Sequence, residues 1–355
     1  MLAVLMVDFS CALKLAMPIA VLSAMREASA SHISVKGGRF LEAVANANTV
    51  VFDKTGTLTK GQFEVNAVHP DQFDETQLLH LAAHVEHYST HPIAISLKNA
   101  YPNEHDGCTV EDVEEISGHG IRAKVNGDTV CVGNTKMMDS AGAKWHPCHK
   151  VGTIIHVAVN GVYVGHIVIS DRVKDDSAAA IADLKSLGVK NTVMLTGDRE
   201  EVGKDVATQL GLDEYHAELL PADKVNAVER LIAEKPAGTT LAFVGDGIND
   251  APVLARADVG IAMGGLGSDA AIEAADVVLM DDKPSKVATA IRIARHTLKI
   301  ANENVWFAIS VKVAVLILAG FGLATMWMAV FADVGVTVLA VLNAMRTLNG
   351  GHGAD

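Results

Sequence analysis

Positive charge is in short supply in this chain. Among 355 residues, 29 Lys and Arg stand against 42 Asp and Glu, a formal net charge of −13. With no basic excess to neutralise phosphates, the balance argues against nucleic acid as a partner. Cysteine is scarce as well: Cys11, Cys108, Cys131 and Cys148 show no CxxC spacing and no framework pattern. That excludes a disulfide scaffold and suits a reducing compartment. Aromatics make up only 5%, and no internal repeat or low-complexity tract occurs. Half the residues are nevertheless hydrophobic, which excludes a disordered chain. The mean hydropathy of +0.26 has a local source, and that source is the two ends.

Residues 305–331 are apolar except for Lys312, and after Asp333 the apolar run continues over 334–345. Because a helix needs about 20 residues to cross a bilayer, such a length predicts a transmembrane helical hairpin, assigned to 300–347. Gly320 and Gly322 mark its turn, and Trp306 and Trp327 stand as interfacial anchors. The first 25 residues are apolar too, broken by Asp8, Lys14 and Pro18. They lack the basic start of a signal peptide. A membrane helix over 1–26 carrying functional polar residues fits better. Arg26, Lys36 and Arg39 then set the following segment on the cytoplasmic side. The expectation is a multi-pass protein of the plasma or inner membrane with cytoplasmic catalytic domains.

Between the ends, short β-branched runs at 50–52, 192–196, 241–245, 259–263 and 277–280 alternate with helical patterns such as 176–188 and 200–211. This alternation predicts an α/β fold, a doubly wound parallel sheet with crossover helices, over 27–60 and 166–290. Residues 61–165 differ in texture: helix signals near 75–100, then alternating strands around 116–134 and 153–169. They read as an inserted α+β domain.

Four polar motifs follow strands or open helices in that frame. Asp53-Lys54-Thr55-Gly56-Thr57-Leu58-Thr59 ends the first run, Thr196-Gly197-Asp198 the next, and Gly245-Asp246-Gly247-Ile248-Asn249-Asp250 another, while Lys224 follows Pro221. In open parallel sheets, chemistry sits outside the carboxyl ends of the strands. A carboxylate there can take a phosphoryl group in line and carry it covalently. That chemistry needs a hard cation on oxygen ligands, for which Asp53, Asp250 and a backbone carbonyl serve. It also needs donors to the equatorial oxygens, a role for Thr196 and Lys224.

DKTGTLT with TGD, LPADK and GDGINDAP resembles the P-type ATPases, the cation-pumping branch of the haloacid dehalogenase superfamily. The resemblance implies phosphorylation of Asp53 by ATP, with Mg²⁺ held by Asp53, Thr55, Asp246 and Asp250 and with Asn249 on the phosphate side. Lys54, Thr196, Gly197, Asp198 and Lys224 complete the catalytic set. Thr55 stands where the superfamily's phosphatases carry a second Asp as general acid/base, which implies a persistent aspartyl phosphate. Glu86, His91-Pro92, Gly118, Gly120, Gly133 and Asn134 resemble the ATP site of the heavy-metal branch. The nearby His80, His84 and His87 read as a solvated helix face. In that branch the first helix carries Cys-Pro-Cys; here Phe9-Ser10-Cys11 stands instead. Asp8 lies three residues from Cys11. Lys312 and Asp333 resemble the Lys and acidic ligand of the zinc/cadmium/lead exporters. They imply a transported divalent cation and its counter-ion, with Co²⁺, Mn²⁺ and Cu⁺ remaining as alternative cargoes. Two other readings stay open: a soluble phosphatase of the superfamily and a nucleotide-binding regulatory remnant. No Thr-Gly-Glu occurs, so the chain reads as the C-terminal portion of a pump whose actuator domain and earlier helices lie in a longer parent.

Overall fold

The computed structural model describes residues 11–87, 89, 92–103, 107–148, 150–246, 250–264 and 269–349. In chain order the strands are β1 (Ile33–Val35), β2 (Ala47–Asp53), β3 (Thr59–Pro70), β4 (Val110–Ile116), β5 (Gly120–Val125) and β6 (Asp128–Gly133). Then come β7 (Thr153–Val159), β8 (Val162–Val173), β9 (Asn191–Leu195), β10 (Glu214–His216), β11 (Thr240–Gly245), β12 (Val259–Met263) and β13 (Val277–Leu279). The chain divides into two compact units, Met1–Leu58 with Asp175–Asp198 and Ala207–Asp355, and Thr59–Lys174 with Arg199–Val206.

The first unit holds a seven-stranded sheet in the order β1-β13-β12-β11-β2-β9-β10. Only β1 runs antiparallel, against β13. Both faces of such a sheet are covered, so its central strands are apolar over most of their length. In β2, Val50, Val51 and Phe52 are all fully buried. Val193, Leu195, Leu241 and Phe243 from the neighbouring strands pack with Val51, and Val228, Leu231 and Leu254 from the helices close over them. Because β11, β2 and β9 are adjacent and parallel, their carboxyl ends open on one edge of the sheet.

The same unit contains a single helix of 36 residues, Ser285–Gly320. It begins well before the apolar stretch and runs unbroken through 290–300, because neither Pro nor Gly interrupts it before Gly320. Gly322 turns with φ +75, and the chain returns through Met326–Leu348. Among the described residues, these two helices are long and apolar enough to cross a membrane. Within the second, Phe331–Gly335 winds as a π turn that carries Asp333. The first helix is described over Cys11–Ala30, with Pro18 inside it. Residues 1–10, and with them Asp8, lie outside the described residues. Ala16, Ala20, Ala24 and Ala28 bury one edge of that helix, at a spacing of four, which lets it pack closely against Ser285–Gly320 and Val336–Ala344. Asn304 donates to the Ala340 carbonyl (3.0 Å) and accepts from Asn343 (2.9 Å), tying the two long helices together.

The second unit is a six-stranded antiparallel sheet, β3-β8-β7-β6-β5-β4. The helices Glu75–Glu86 and Pro92–Ala100 bury Leu78, Ala82, Val85 and Leu97 with Val130, Val132, Val157, Ile167 and Ile169. Asp74 starts the first of these helices with a capping box, its carboxylate accepting from the Gln77 amide (2.7 Å).

Candidate active site

Asp53 is the last residue of β2, and the chain turns tightly through Lys54–Leu58 directly after it. Gly56 has φ +74, and a Cβ on it would lie 1.6 Å from Asp246 Oδ2. Only glycine lets the two turns, one after β2 and the other after β11, meet this closely. Asp250 precedes the helix Ala251–Arg256, and Lys224 lies in the first turn of Pro221–Glu234.

These elements converge. The Lys224 ammonium donates to Asp53 Oδ1 and to Asp250 Oδ1, the latter at 3.1 Å. Asp53, Asp246 and Asp250 each offer a carboxylate oxygen, all within 4.8 Å of one another. Asp53 and Asp250 are buried. Burial and the Asp250 charge push the Asp53 carboxyl up to about 7, against the opposing pull of Lys224. Burial works against the charge on Lys224, but Asp53 and Asp250 outweigh it and hold the ammonium above the ordinary lysine range. Three carboxylates around one ammonium leave negative charge uncompensated. An all-oxygen donor set of this kind, with Gly56 leaving room beside Asp246, fits Mg²⁺.

Lys54 does not join this cluster. It turns to Asp198, at 2.8 Å. The Asp198 amide donates to Thr196 Oγ1 (3.1 Å), fixing that buried hydroxyl just beyond β9. Gly197 is exposed at the same turn, and Thr55 is exposed in the turn after β2. Asn249 lies outside the described residues. Thr57, not singled out in the sequence beyond its place in the motif, is fully buried, and its hydroxyl has no hydrogen-bond partner.

In the second unit Glu86 closes the helix Glu75–Glu86 and is buried. Burial first, and the Glu115 charge second, push its carboxyl up to about 7 against Lys98. Gly120 of β5 pairs directly with Gly133 of β6. A Cβ on Gly120 would come within 2.1 Å of the Val132 carbonyl oxygen, and one on Gly133 within 2.2 Å of that of His119. Asn134 joins the same corner, donating to the Gly118 carbonyl (2.8 Å) and capping Thr135–Ala141. The four residues Gly118, Gly120, Gly133 and Asn134 are thus brought together. His91 lies outside the described residues, and Pro92 opens its helix. The solvated-face reading of the histidines needs correction for His84: it is buried, with the His80 ring 4.6 Å away and Cys108 beside both. The inward face of this helix is wide enough to take histidine along with Leu78 and Val85.

In the long helices, Lys312 Nζ lies 3.6 Å from Asp333 Oδ1, and Lys312 is almost fully buried. The sequence placed these two on successive helices, and the π turn directs Asp333 toward Lys312. Cys11 opens the described part of the first helix.

Comparison with known proteins is consistent with this geometry. The haloacid dehalogenase-like hydrolase family matches residues 47–258. The chain is 53% identical to the cadmium, zinc and cobalt-transporting ATPase of Bacillus subtilis (strain 168), over 97% of this chain and 49% of that protein. It is 52% identical to the zinc-transporting ATPase of Synechocystis, over 97% of this chain and 48% of that protein. A crystal structure of a zinc-transporting PIB-type ATPase in the E2.Pi state superposes with a TM-score of 0.85 at 38% identity. That match covers 95% of this chain and 56% of the other. The chain spans about half the length of the curated relatives it matches. Sequence, sheet topology and these similarities agree: the chain belongs to the haloacid dehalogenase-like hydrolases and, within them, to the heavy-metal branch of the P-type ATPases.

Proposed function

We propose that this chain is the catalytic portion of an ATP-driven exporter of a divalent heavy-metal cation, working through phosphorylation of Asp53. The observation that carries this reading is the convergence of Asp53, Lys224, Asp246 and Asp250 at the carboxyl ends of β2 and β11. An Asp53 oxygen attacks the terminal phosphorus of ATP in line. The new Asp53–phosphorus bond forms as the bond to ADP breaks, and ADP leaves with the electron pair. Lys224 holds the attacking carboxylate in place, and with Thr196 it donates to the equatorial oxygens. Lys54, locked to Asp198, braces the turns on which Asp53 and Thr196 sit. Mg²⁺, when bound, supplies the positive charge that lets carboxylate and phosphates approach. Asp53, Asp246, Asp250 and the Thr55 backbone would hold it, with Asn249 on the phosphate side. Thr55 offers no carboxylate to activate water, so the aspartyl phosphate persists long enough to drive transport.

ATP binds in the second unit, against the glycine corner of Gly118, Gly120 and Gly133 beside Asn134, with Glu86, His91 and Pro92 contributing from the helical side. The cargo is zinc-like: a carboxylate such as Asp333 suits a borderline divalent ion better than Cu(I). Asp333 serves as ligand, with Cys11 and Asp8 as further candidate ligands, and Lys312 neutralises Asp333 once the ion has left. The two long apolar helices cross the bilayer, and the two β-sheets face the cytoplasm. Incubation with γ-labelled ATP and Mg²⁺ is expected to give an acid-stable, hydroxylamine-labile phosphoprotein. Absence of label on the wild type, or equal label on Asp53→Asn, would overturn the proposal.

A further inference from the structure

A second cluster of metal-seeking side chains lies in the six-stranded sheet, apart from the residues given to ATP. His69 of β3 pairs directly with His166 of β8, and His166 pairs with His156 of β7. Side chains opposite one another on adjacent strands share a face of the sheet, and the His69 and His166 rings lie 4.9 Å apart. Cys148, in the segment leading to β7, completes a group whose ligand atoms all lie within 4.8 Å of one another.

Two features separate this group from a chance gathering of polar residues. The first is orphaned nitrogen. Nε2 of His69 and Nε2 of His166 are both buried without a hydrogen-bond partner, although His166 is only 3% exposed. Burying such a group unsatisfied is costly. The second is orientation from behind. The Tyr163 hydroxyl bridges His166 Nδ1 (3.0 Å) and His156 Nδ1 (2.9 Å), which fixes the His166 ring and leaves Nε2 as its free end. Metal-binding histidines are held in this way, through the nitrogen that does not bind the metal. Burial and the neighbouring His69 and His146 keep His166 below the ordinary histidine range. The Lys150 amide donates to Cys148 Sγ (3.4 Å), which anchors the sulfur in the segment before β7.

We propose that His69, Cys148 and His166 bind a divalent ion of the zinc class in the second unit, distinct from the Mg²⁺ site at Asp53 and from the Asp333 region. Two imidazoles and one thiol select zinc, cadmium or cobalt, whereas a hard cation would require oxygen ligands. Tetrahedral zinc with these ligands has neighbouring ligand atoms about 3.3–3.8 Å apart, so the three side chains need to close by only about 1 Å. The fourth position goes to water. On binding, the Cys148 thiol gives its proton to solvent. The position in the sheet also has a consequence. Register carries the row on from His156 to Gly133 and then to Gly120, so an ion clamping β3, β8 and the Cys148 segment stiffens the strands that end in the glycine corner.

The test is titration of the full-length chain in detergent with Co²⁺, following the near-ultraviolet thiolate-to-cobalt charge-transfer band. A parent carrying Cys11→Ser and Cys108→Ser leaves Cys148 and the buried Cys131 as its thiols. This parent is expected to develop the band at one equivalent of cobalt and to lose it on addition of zinc. Adding Cys148→Ser abolishes the band, and adding His69→Gln weakens cobalt affinity more than tenfold, with far-ultraviolet circular dichroism unchanged in both. No band in the parent, a band surviving Cys148→Ser, or unaltered affinity in folded His69→Gln overturns the proposal. None of these readouts involves Asp53 phosphorylation, so failure here and failure of the pump reading are separately visible.

Discussion

Asp53 combines two demands that pull against each other. A nucleophile must be ionised, yet this carboxyl is buried beside Asp250, and its pKa rises from 3.8 to about 7. Between those values the folded protein keeps a proton that the unfolded chain has released. Stability therefore falls as pH rises through that window and stays lowered above it. Asp53→Asn removes the penalty. In magnesium-free buffer the variant is expected to match wild type near pH 4 and to exceed it by on the order of 2 kcal/mol above pH 7. Thermal melts of both proteins across that range measure the difference, and an Asn variant no more stable than wild type at high pH would refute the assignment. Added Mg²⁺ should shrink the gap by stabilising the ionised wild-type carboxylate. The same competition explains the role of Lys224: its ammonium offsets part of the repulsion that crowds three acids together.

At the scale of elements, legibility in the sequence followed the physics of burial. The strands of the parallel sheet are covered on both faces, so runs such as 50–52, 241–245 and 259–263 are continuously apolar and stand out against their flanks. The hairpin turn was equally plain, because Gly320 and Gly322 end an uninterrupted helix. Hydropathy marks where a helix becomes apolar but not where it begins, so the start of Ser285–Gly320 inside the first unit was not readable. The histidine group was hidden for a different reason. His69, His156 and His166 are neighbours only through strand register, a long-range property that a single sequence does not display. His84 was misjudged because helical spacing alone does not say which face is inward. The alanine edge of Cys11–Ala30 gives a test at this scale. Ala20 is almost fully buried, with Thr347 Oγ1 3.4 Å from its carbonyl oxygen. Ala20→Leu is expected to force the helices apart and cost about 1–3 kcal/mol, seen as a lower midpoint of thermal unfolding in detergent. An unchanged midpoint would show that this edge tolerates bulk and does not set the packing distance.

The chain carries two sheet-bearing units and a pair of long apolar helices, and its tryptophans report on the surroundings of those helices. Trp306 and Trp327 are 70% and 83% exposed, a poor arrangement in water and a favourable one where an amphipathic indole meets lipid headgroups. Trp306 stands at the start of the apolar part of Ser285–Gly320, and Trp327 lies just after the turn that follows it, so a helix crossing the bilayer sets them near opposite surfaces. The remaining tryptophan, Trp145, sits in the second unit and donates to Asp139 (2.9 Å). With Trp145→Phe to silence that signal, the chain reconstituted in vesicles should show strong fluorescence quenching by lipids brominated near the headgroup. Lipids brominated near the bilayer centre should quench it weakly. Strong quenching from the centre would place the indoles deep and contradict a spanning hairpin with interfacial ends. Absence of quenching at either depth would mean that these helices bury their apolar faces against protein, and the proposal of transport across a membrane would fall with them.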